Sequence, residues 1–298
     1  MGDSLTVQLE PPTRYMKIIN TGITVDSLDT LSQKVFKVER KWKPPENTVV
    51  VEGGMPIGSD ERTFIIDVVD APRYVGTLFV ELLQKEGIAF NGRVLKGTAP
   101  DSAEVLVEHL SPPLTLVIMN TNKISDNLSA ELLLKTLGAE VKGAPGTAEK
   151  GLSVIRQFLD SLGIDSTTYH IADGSGVSRY NVVTPEIIVQ LLAAMHEDFR
   201  IQAEFKTSLP IAGVDGTLKR RMKGSAAEGL LRAKTGSLRG VSSLSGYSTT
   251  ADGEIVAFSI MMEHFVVSTS KIREIQDRIG HTIASFSRHK YPGTVAKH

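Results

Sequence analysis

A chain of 298 residues, 41% hydrophobic and 22% charged, has room for a substantial core and roughly two domains. A formal net charge of −1 without a basic cluster offers nothing to nucleic acid or an anionic membrane, so neither is expected as a partner. With no cysteine, disulfides, a cysteine nucleophile and thiolate metal ligands are excluded; none of the seven histidines forms H-E-x-x-H, and no metal or other cofactor is expected.

The opening MGDSLTVQLEPPTRYMK lacks the apolar core of an export signal, and no later run approaches eighteen consecutive apolar residues. Residues 1–50 are mixed, with paired prolines at 11–12 and 44–45 and apolar alternation from Ile18 to Val25, which predicts short strands. Thr63 to Val69 is apolar and β-branched. Pro72 then opens a helical run through Val75, Phe79, Leu82 and Leu83, which Gly87 closes, and Ile88 to Leu95 predicts a return to strand. This strand–helix–strand unit carries no nameable chemistry. TAPDSAE at 98–104 reads as a linker and Ser111-Pro112-Pro113 as a helix opening, placing a boundary near 110 and domains at 1–110 and 111–298.

The second domain begins with two helices, Leu114–Asn122 and Asn127–Leu137; in the second, Leu128, Leu132, Leu133 and Leu137 recur at helical spacing and Gly138 closes the run. GAPGTAEKG introduces an amphipathic helix through Val154, Ile155, Phe158, Leu159 and Leu162, ended by Gly163. Thr184-Pro185 pairs an N-cap with an N1 proline ahead of Ile187 to Met195. Leu230 to Tyr247 reads strand, turn at Gly240, strand. Glu254 to Met262 alternates, with Val256, Phe258, Ile260 and Met262 on one face, and a final helix over 271–286 carries the stripe Ile272, Ile275, Ile279 and Ile283. The expected architecture is α/β of the α+β kind: an antiparallel sheet packed by helices, its first strand carrying Lys234.

Two short motifs carry chemistry. Lys234-Thr235-Gly236 on a strand edge offers an anionic peptide end a point charge, a hydroxyl donor and a backbone free of side-chain bulk. Alone, it reads equally as a hairpin with a solvated lysine. Upstream, Ser125-Asp126-Asn127 reads alone as a helix cap, since Ser and Asp satisfy orphan N–H groups. Together, in this chain order, S-D-N and K-T-G are two of the three signatures of penicillin-recognising serine enzymes, the third being S-x-x-K. Asp173-Gly174-Ser175-Gly176 raises a competing triad of His170, Asp173 and Ser175, but the nucleophile elbow G-x-S-x-G is not met. Its plain reading is a Gly-rich turn with Asp173 bonding its own backbone.

At this point the sequence resembles a family, the D-alanyl-D-alanine carboxypeptidase/endopeptidases or class C low-molecular-mass penicillin-binding proteins. The resemblance rests on SPPLTLVIMNTNKISDNLSAELLLKTLG at 111–138, DGSGVSRYN at 173–181, LPIAGVDGTL at 209–218 and AKTGSLRGVSSLSGY at 233–247, with NTVVVEGGMPIGS and DAPRYVGTLFVELLQKEGIAFNG similar to the end of the family's inserted domain. It implies a penicillin-binding, serine β-lactamase-like fold: part of a catalytic domain at 111–298, and the remainder of a smaller inserted accessory domain at 1–110. It also implies an extracytoplasmic enzyme that acts on peptidoglycan stem peptides ending in D-Ala-D-Ala and is acylated by β-lactams. By motif, Ser125 would relay a proton to the leaving amine, Asn127 would hold the substrate amide or the catalytic lysine, and Lys234 would hold the network electrostatically. Thr235 would bind the terminal carboxylate beside Gly236, the Ser237 N–H would be an oxyanion donor, and the loop carrying Asp173 and Ser175 would border the substrate.

The departure from the pattern is that S-x-x-K does not precede S-D-N. Ser4, Ser27, Ser32, Ser59, Ser102 and Ser111 all lack a lysine three places on, and the two matches, Ser268…Lys271 and Ser287…Lys290, follow K-T-G in the wrong order. Two expectations follow: the C-terminal part of a serine peptidase, inactive as it stands because the nucleophile-bearing N-terminal segment, its expected partner, is missing from this chain, or a non-catalytic module that binds wall peptide.

Overall fold

The computed structural model describes residues 2–26, 36–41 and 47–289; Pro44-Pro45 and Lys290 lie outside them. The chain divides into two compact units, Met1–Val107 and Glu108–His298.

The first unit holds β1 (Lys17–Asn20), β2 (Ile23–Val25), β3 (Lys37–Arg40), β4 (Thr48–Glu52), β5 (Gly54–Pro56) and α1 (Ala71–Lys85). β4 lies parallel to β1 and antiparallel to β3, while β2 pairs with β5. Val49 and Val51 alternate on β4 and bury one face with Met16. The strand expected at 63–69 does not form. Ile66 and Val68 pack on this core, but the Asn47 side chain takes the place of a strand neighbour: its Oδ1 accepts from Val69 N at 2.8 Å and its Nδ2 donates to Val69 O at 3.2 Å. Nor does 88–95 become a strand, and Ile88 and Leu95 are left exposed. Helix α1 starts as expected, with Asp70 accepting from Arg73 N and a proline in the first turn.

The second unit runs α2 (Leu114–Ile124), α3 (Asn127–Lys142), α4 (Ala148–Ser161), α5 (Pro185–Glu197), α6 (Gln202–Ser208), β6 (Arg232–Leu238), β7 (Val241–Thr249), β8 (Ile255–Glu263) and α7 (Thr269–Ser285). The sheet is antiparallel in the order β6-β7-β8, with Lys234 opposite Ser245 and Thr235 opposite Leu244. One face buries Leu231, Leu244 and Phe258 with Leu218 and, from α7, Ala284. On the other, Tyr247 packs with Leu192 and Leu209; its hydroxyl donates to Leu192 O at 2.6 Å, and burial pushes the phenol up to about 12.

Two details differ from the sequence reading. Gly138 does not close α3, which continues to Lys142 and ends at Gly143; it is instead where α4 comes closest, since a Cβ there would stand 2.7 Å from Gly151 N. On α7 the buried stripe is Ile272, Gln276, Gly280 and Ala284, and Ile275 is exposed. Small residues win that face because the helix lies close to its neighbours: a Cβ on Gly280 would meet Met222 Sδ at 2.9 Å.

Candidate active site

The site grows from the junction of α2 and α3. Ser125 ends α2 in the left-handed region at φ 62, a conformation that a non-glycine residue holds only when its surroundings impose it. Asp126 is the N-cap of α3: its carboxylate accepts from Leu128 N at 3.0 Å and Ser129 Oγ at 2.6 Å, and these bonds, the Ser129 hydroxyl foremost, hold its pKa below the usual carboxylate value. The cap reading therefore applies to Asp126. Replacing it, Asp126→Ala, should cost about 1 kcal/mol by denaturant titration. Ser125 is left for other work.

That work is done with Lys234. From β6 its Nζ donates to Ser125 Oγ at 2.7 Å and to Thr235 O at 2.8 Å. An ammonium only donates, so the Ser125 oxygen accepts and its own proton is free to point away. Lys234 is half-buried, no carboxylate pairs with it among the described residues, and burial pushes its ammonium below the ordinary lysine range. A partly desolvated cation with no carboxylate partner among the described residues can attract an anion.

Sequence reasoning missed the groups that hold this pair. Lys123, two residues before Ser125, donates to Asp215 Oδ2 at 2.7 Å and to Leu209 O at 2.6 Å. Asp215 Oδ1 accepts from Ile211 N at 2.8 Å, and Thr235 Oγ1 donates to Thr217 Oγ1 at 2.9 Å. On the far side Arg273 of α7 donates to Ser237 Oγ at 3.1 Å. For Lys123, Asp215 and Thr217 the only sequence signal is membership in the phrases NTNKISDN and LPIAGVDGTL, and Arg273 lies in neither. Gly236 lies beside the Ser243 hydroxyl, which would have to turn aside for a Cβ at this position.

The remaining candidates are placed as follows. Asn127 is the first residue of α3, exposed, with no side-chain hydrogen bond among the described residues. Asp173 accepts from Gly176 N and Ser178 N, both at 2.6 Å, and from Asn181 Nδ2 at 2.9 Å, so its carboxylate shapes its own loop. That loop is clamped to α3, where Glu131 Oε1 accepts from Gly174 N and Ser175 N, and Arg179 ties it to the β6–β7 turn through Arg239 O. His170 Nδ1 bonds Tyr180 O and neither Asp173 nor Ser175, so these three form no relay. Ser268 sits exposed at the start of α7, and Ser287 is buried, its hydroxyl donated to Asp252 at 2.8 Å.

An antiparallel sheet backed by helices, its first strand presenting K-T-G to an S-D-N helix junction, defines a penicillin-binding, β-lactamase-like fold. Penicillin-binding protein 4 (DacB) of Haemophilus influenzae superposes with a TM-score of 0.73 at 26% identity, covering 91% of this chain and 61% of that one. Its complex with a β-lactam superposes at 0.74 and 24% identity, over 96% and 66% of the two chains. Residues 1–285 match the D-Ala-D-Ala carboxypeptidase 3 (S13) family, and the chain belongs to it. Among its relatives, the D-alanyl-D-alanine carboxypeptidase of Actinomadura sp. (strain R39) is 38% identical over 254 residues, 83% of this chain and 46% of that protein. D-alanyl-D-alanine carboxypeptidase DacB of Haemophilus influenzae is 36% identical over 201 residues, 66% of this chain and 41% of that protein. The chain thus spans less than half the length of these two relatives.

Proposed function

We propose that this chain supplies the substrate-carboxylate side of a serine-type D-Ala-D-Ala carboxypeptidase or endopeptidase of peptidoglycan that works through an acyl-enzyme outside the cytoplasmic membrane. The observation that carries this is the 2.7 Å bond from Lys234 Nζ to Ser125 Oγ, which joins the two motifs across 109 residues of chain. Ser125 relays a proton to the leaving amine; Lys234 fixes that hydroxyl and attracts the carboxylate. Thr235 hydrogen-bonds the carboxylate, Gly236 lets the peptide lie along β6, and the Ser237 N–H faces the developing oxyanion. Asn127, whose side chain bonds none of the described residues, is open to the substrate amide, and the loop of Asp173 and Ser175 borders the groove. β-Lactams enter by the same route as the peptide.

The first unit is the remainder of an inserted accessory domain. The nucleophile and its base belong to an S-x-x-K segment that packs on the α2–α3 face. The exposure of Leu114, Ile124, Leu128 and Leu132 supports this, because soluble proteins rarely leave such runs uncovered. A second reading, a non-catalytic module that binds wall peptide, draws on the same groove, since Lys234 and Thr235 can hold a carboxylate with no nucleophile taking part.

Lys234 distinguishes a carboxylate site from an idle hairpin. Lys234→Ala should weaken binding of a D-Ala-D-Ala peptide several-fold, about 1 kcal/mol for a half-exposed contact. In the unaltered protein the affinity should be full at neutral pH and fall as pH rises through a value below 10.5, the ordinary lysine pKa, whereas the variant should show no such step. The stability sign is opposite. A depressed lysine pKa makes the buried ammonium a cost at neutral pH, relieved as pH climbs from the folded value towards 10.5. Calorimetric titration across that range checks the binding; a pH-independent affinity would remove Lys234 from the site.

A further inference from the structure

The hydrogen bonds around Ser125 and Lys234 close into a ring, and one member of it has no part in the scheme above. From Ser125 the chain leads back to Lys123, across to Asp215, forward through Gly216 to Thr217, across to Thr235 and so to Lys234, whose amine returns to Ser125. Thr217 is therefore set by rigid parts. Asp215 before it is fixed by Lys123 and by the Ile211 N–H, and Leu218 after it is fully buried in the main core. Gly216, at φ 54, lies so close to α2 that a Cβ would stand 2.6 Å from Lys123 O, which glycine alone tolerates. Yet the Thr217 side chain is exposed, beside the hydroxyl assigned to the substrate carboxylate.

Proton bookkeeping between the two hydroxyls decides which one faces the ligand. Each has one proton to give. Thr235 donates its own to Thr217, so the unspent proton of the pair belongs to Thr217, which donates to no protein acceptor among the described residues. A carboxylate only accepts, and hydrogen bonds to a charged group are stronger than those between neutral hydroxyls. We infer that Thr217 is a substrate-binding residue, the second hydroxyl of a two-threonine clamp that donates directly to the C-terminal carboxylate of the peptide. When the carboxylate binds, Thr235 turns its proton from Thr217 to the ligand, so that both hydroxyls donate to it. The inference rests on the reading of Lys234 and Thr235 as the carboxylate site.

The test uses the 298-residue chain with N-acetyl-D-alanyl-D-alanine as the free acid and as the C-terminal amide, each titrated into protein followed by amide NMR. The unaltered chain should prefer the acid. Thr217→Val, the same shape without the hydroxyl, should lose roughly tenfold or more in affinity for the acid and nothing for the amide, and Thr217→Ser should restore the acid. Thr217→Ala, run alongside, answers the same question should valine disturb the turn. Undiminished preference for the acid in both the Val and the Ala variants would overturn the inference while leaving Lys234 and Thr235 in place. Equal losses for acid and amide, unrescued by serine, would make Thr217 a merely structural residue and overturn it too. If the unaltered chain binds acid and amide alike, the carboxylate site itself fails and takes the inference with it.

Discussion

Incubated with a penicillin, the 298-residue chain is expected to gain no covalent mass, and a D-alanyl-D-alanine peptide left with it should stay intact. Acylation needs a hydroxyl with a base at hand. Ser125 has Leu128 three places on, and among the described residues the only group bonded to its oxygen is the Lys234 ammonium, which donates and so cannot take the proton. Ser287 is buried against Asp252, and Ser268 stands exposed at the head of α7. Removing the nucleophile from a serine peptidase costs on the order of a million-fold, about 8 kcal/mol of barrier. Intact-mass spectrometry decides the matter. A stoichiometric adduct at Ser268 or Ser287 would bring back the late S-x-x-K matches, and one at Ser125 would make it the nucleophile and end its role as a relay.

A large structural effect is expected from one methyl group. Gly246 on β7 lies opposite Ala233 of β6, where a Cβ would come within 2.1 Å of Arg232 O and 2.6 Å of Ala233 Cα. Both are backbone atoms, so no side chain can turn aside, and Gly246→Ala must push β6 off its neighbour. The cost should be about 3 kcal/mol, the upper range for overpacking, or a drop in melting temperature of roughly 6–12 °C. Because β6 carries Lys234, the same variant should loosen the contact with Ser125 and weaken peptide binding beyond what the lost stability explains. Calorimetry gives the first effect and a peptide titration below the melting transition the second. An unchanged melting temperature would mean that the strands are not held in this register.

Much of the second unit was legible because its signals are local. Thr184-Pro185 capped α5 where expected, GAPGTAEKG led into α4, and the turn at Gly240 joined β6 to β7. The errors fall where a neighbour decided. Gly138 reads as a stop by composition, but the backbone of α4 needs the space it leaves, and the Asn47 side chain satisfies Val69 where a strand had been expected. The isoleucines of α7 pointed to a stripe about one residue away from the one that is buried, because close packing selected Gln276, Gly280 and Ala284 over bulk.

By itself the sequence determined which chemistry is present: two motifs in order, a hydroxyl and an ammonium far apart along the chain, and no thiol. Only the tertiary structure decided that Lys234 meets Ser125, that Asp126 caps α3, and that Lys123, Asp215 and Thr217 hold the pair in place. The physical reason is range. Caps and turns are satisfied by bonds within a few residues, and their residue types announce them. A hydrogen bond that spans 92 or 109 residues leaves no mark at either end, because a lysine reads the same whether water or a serine accepts its proton.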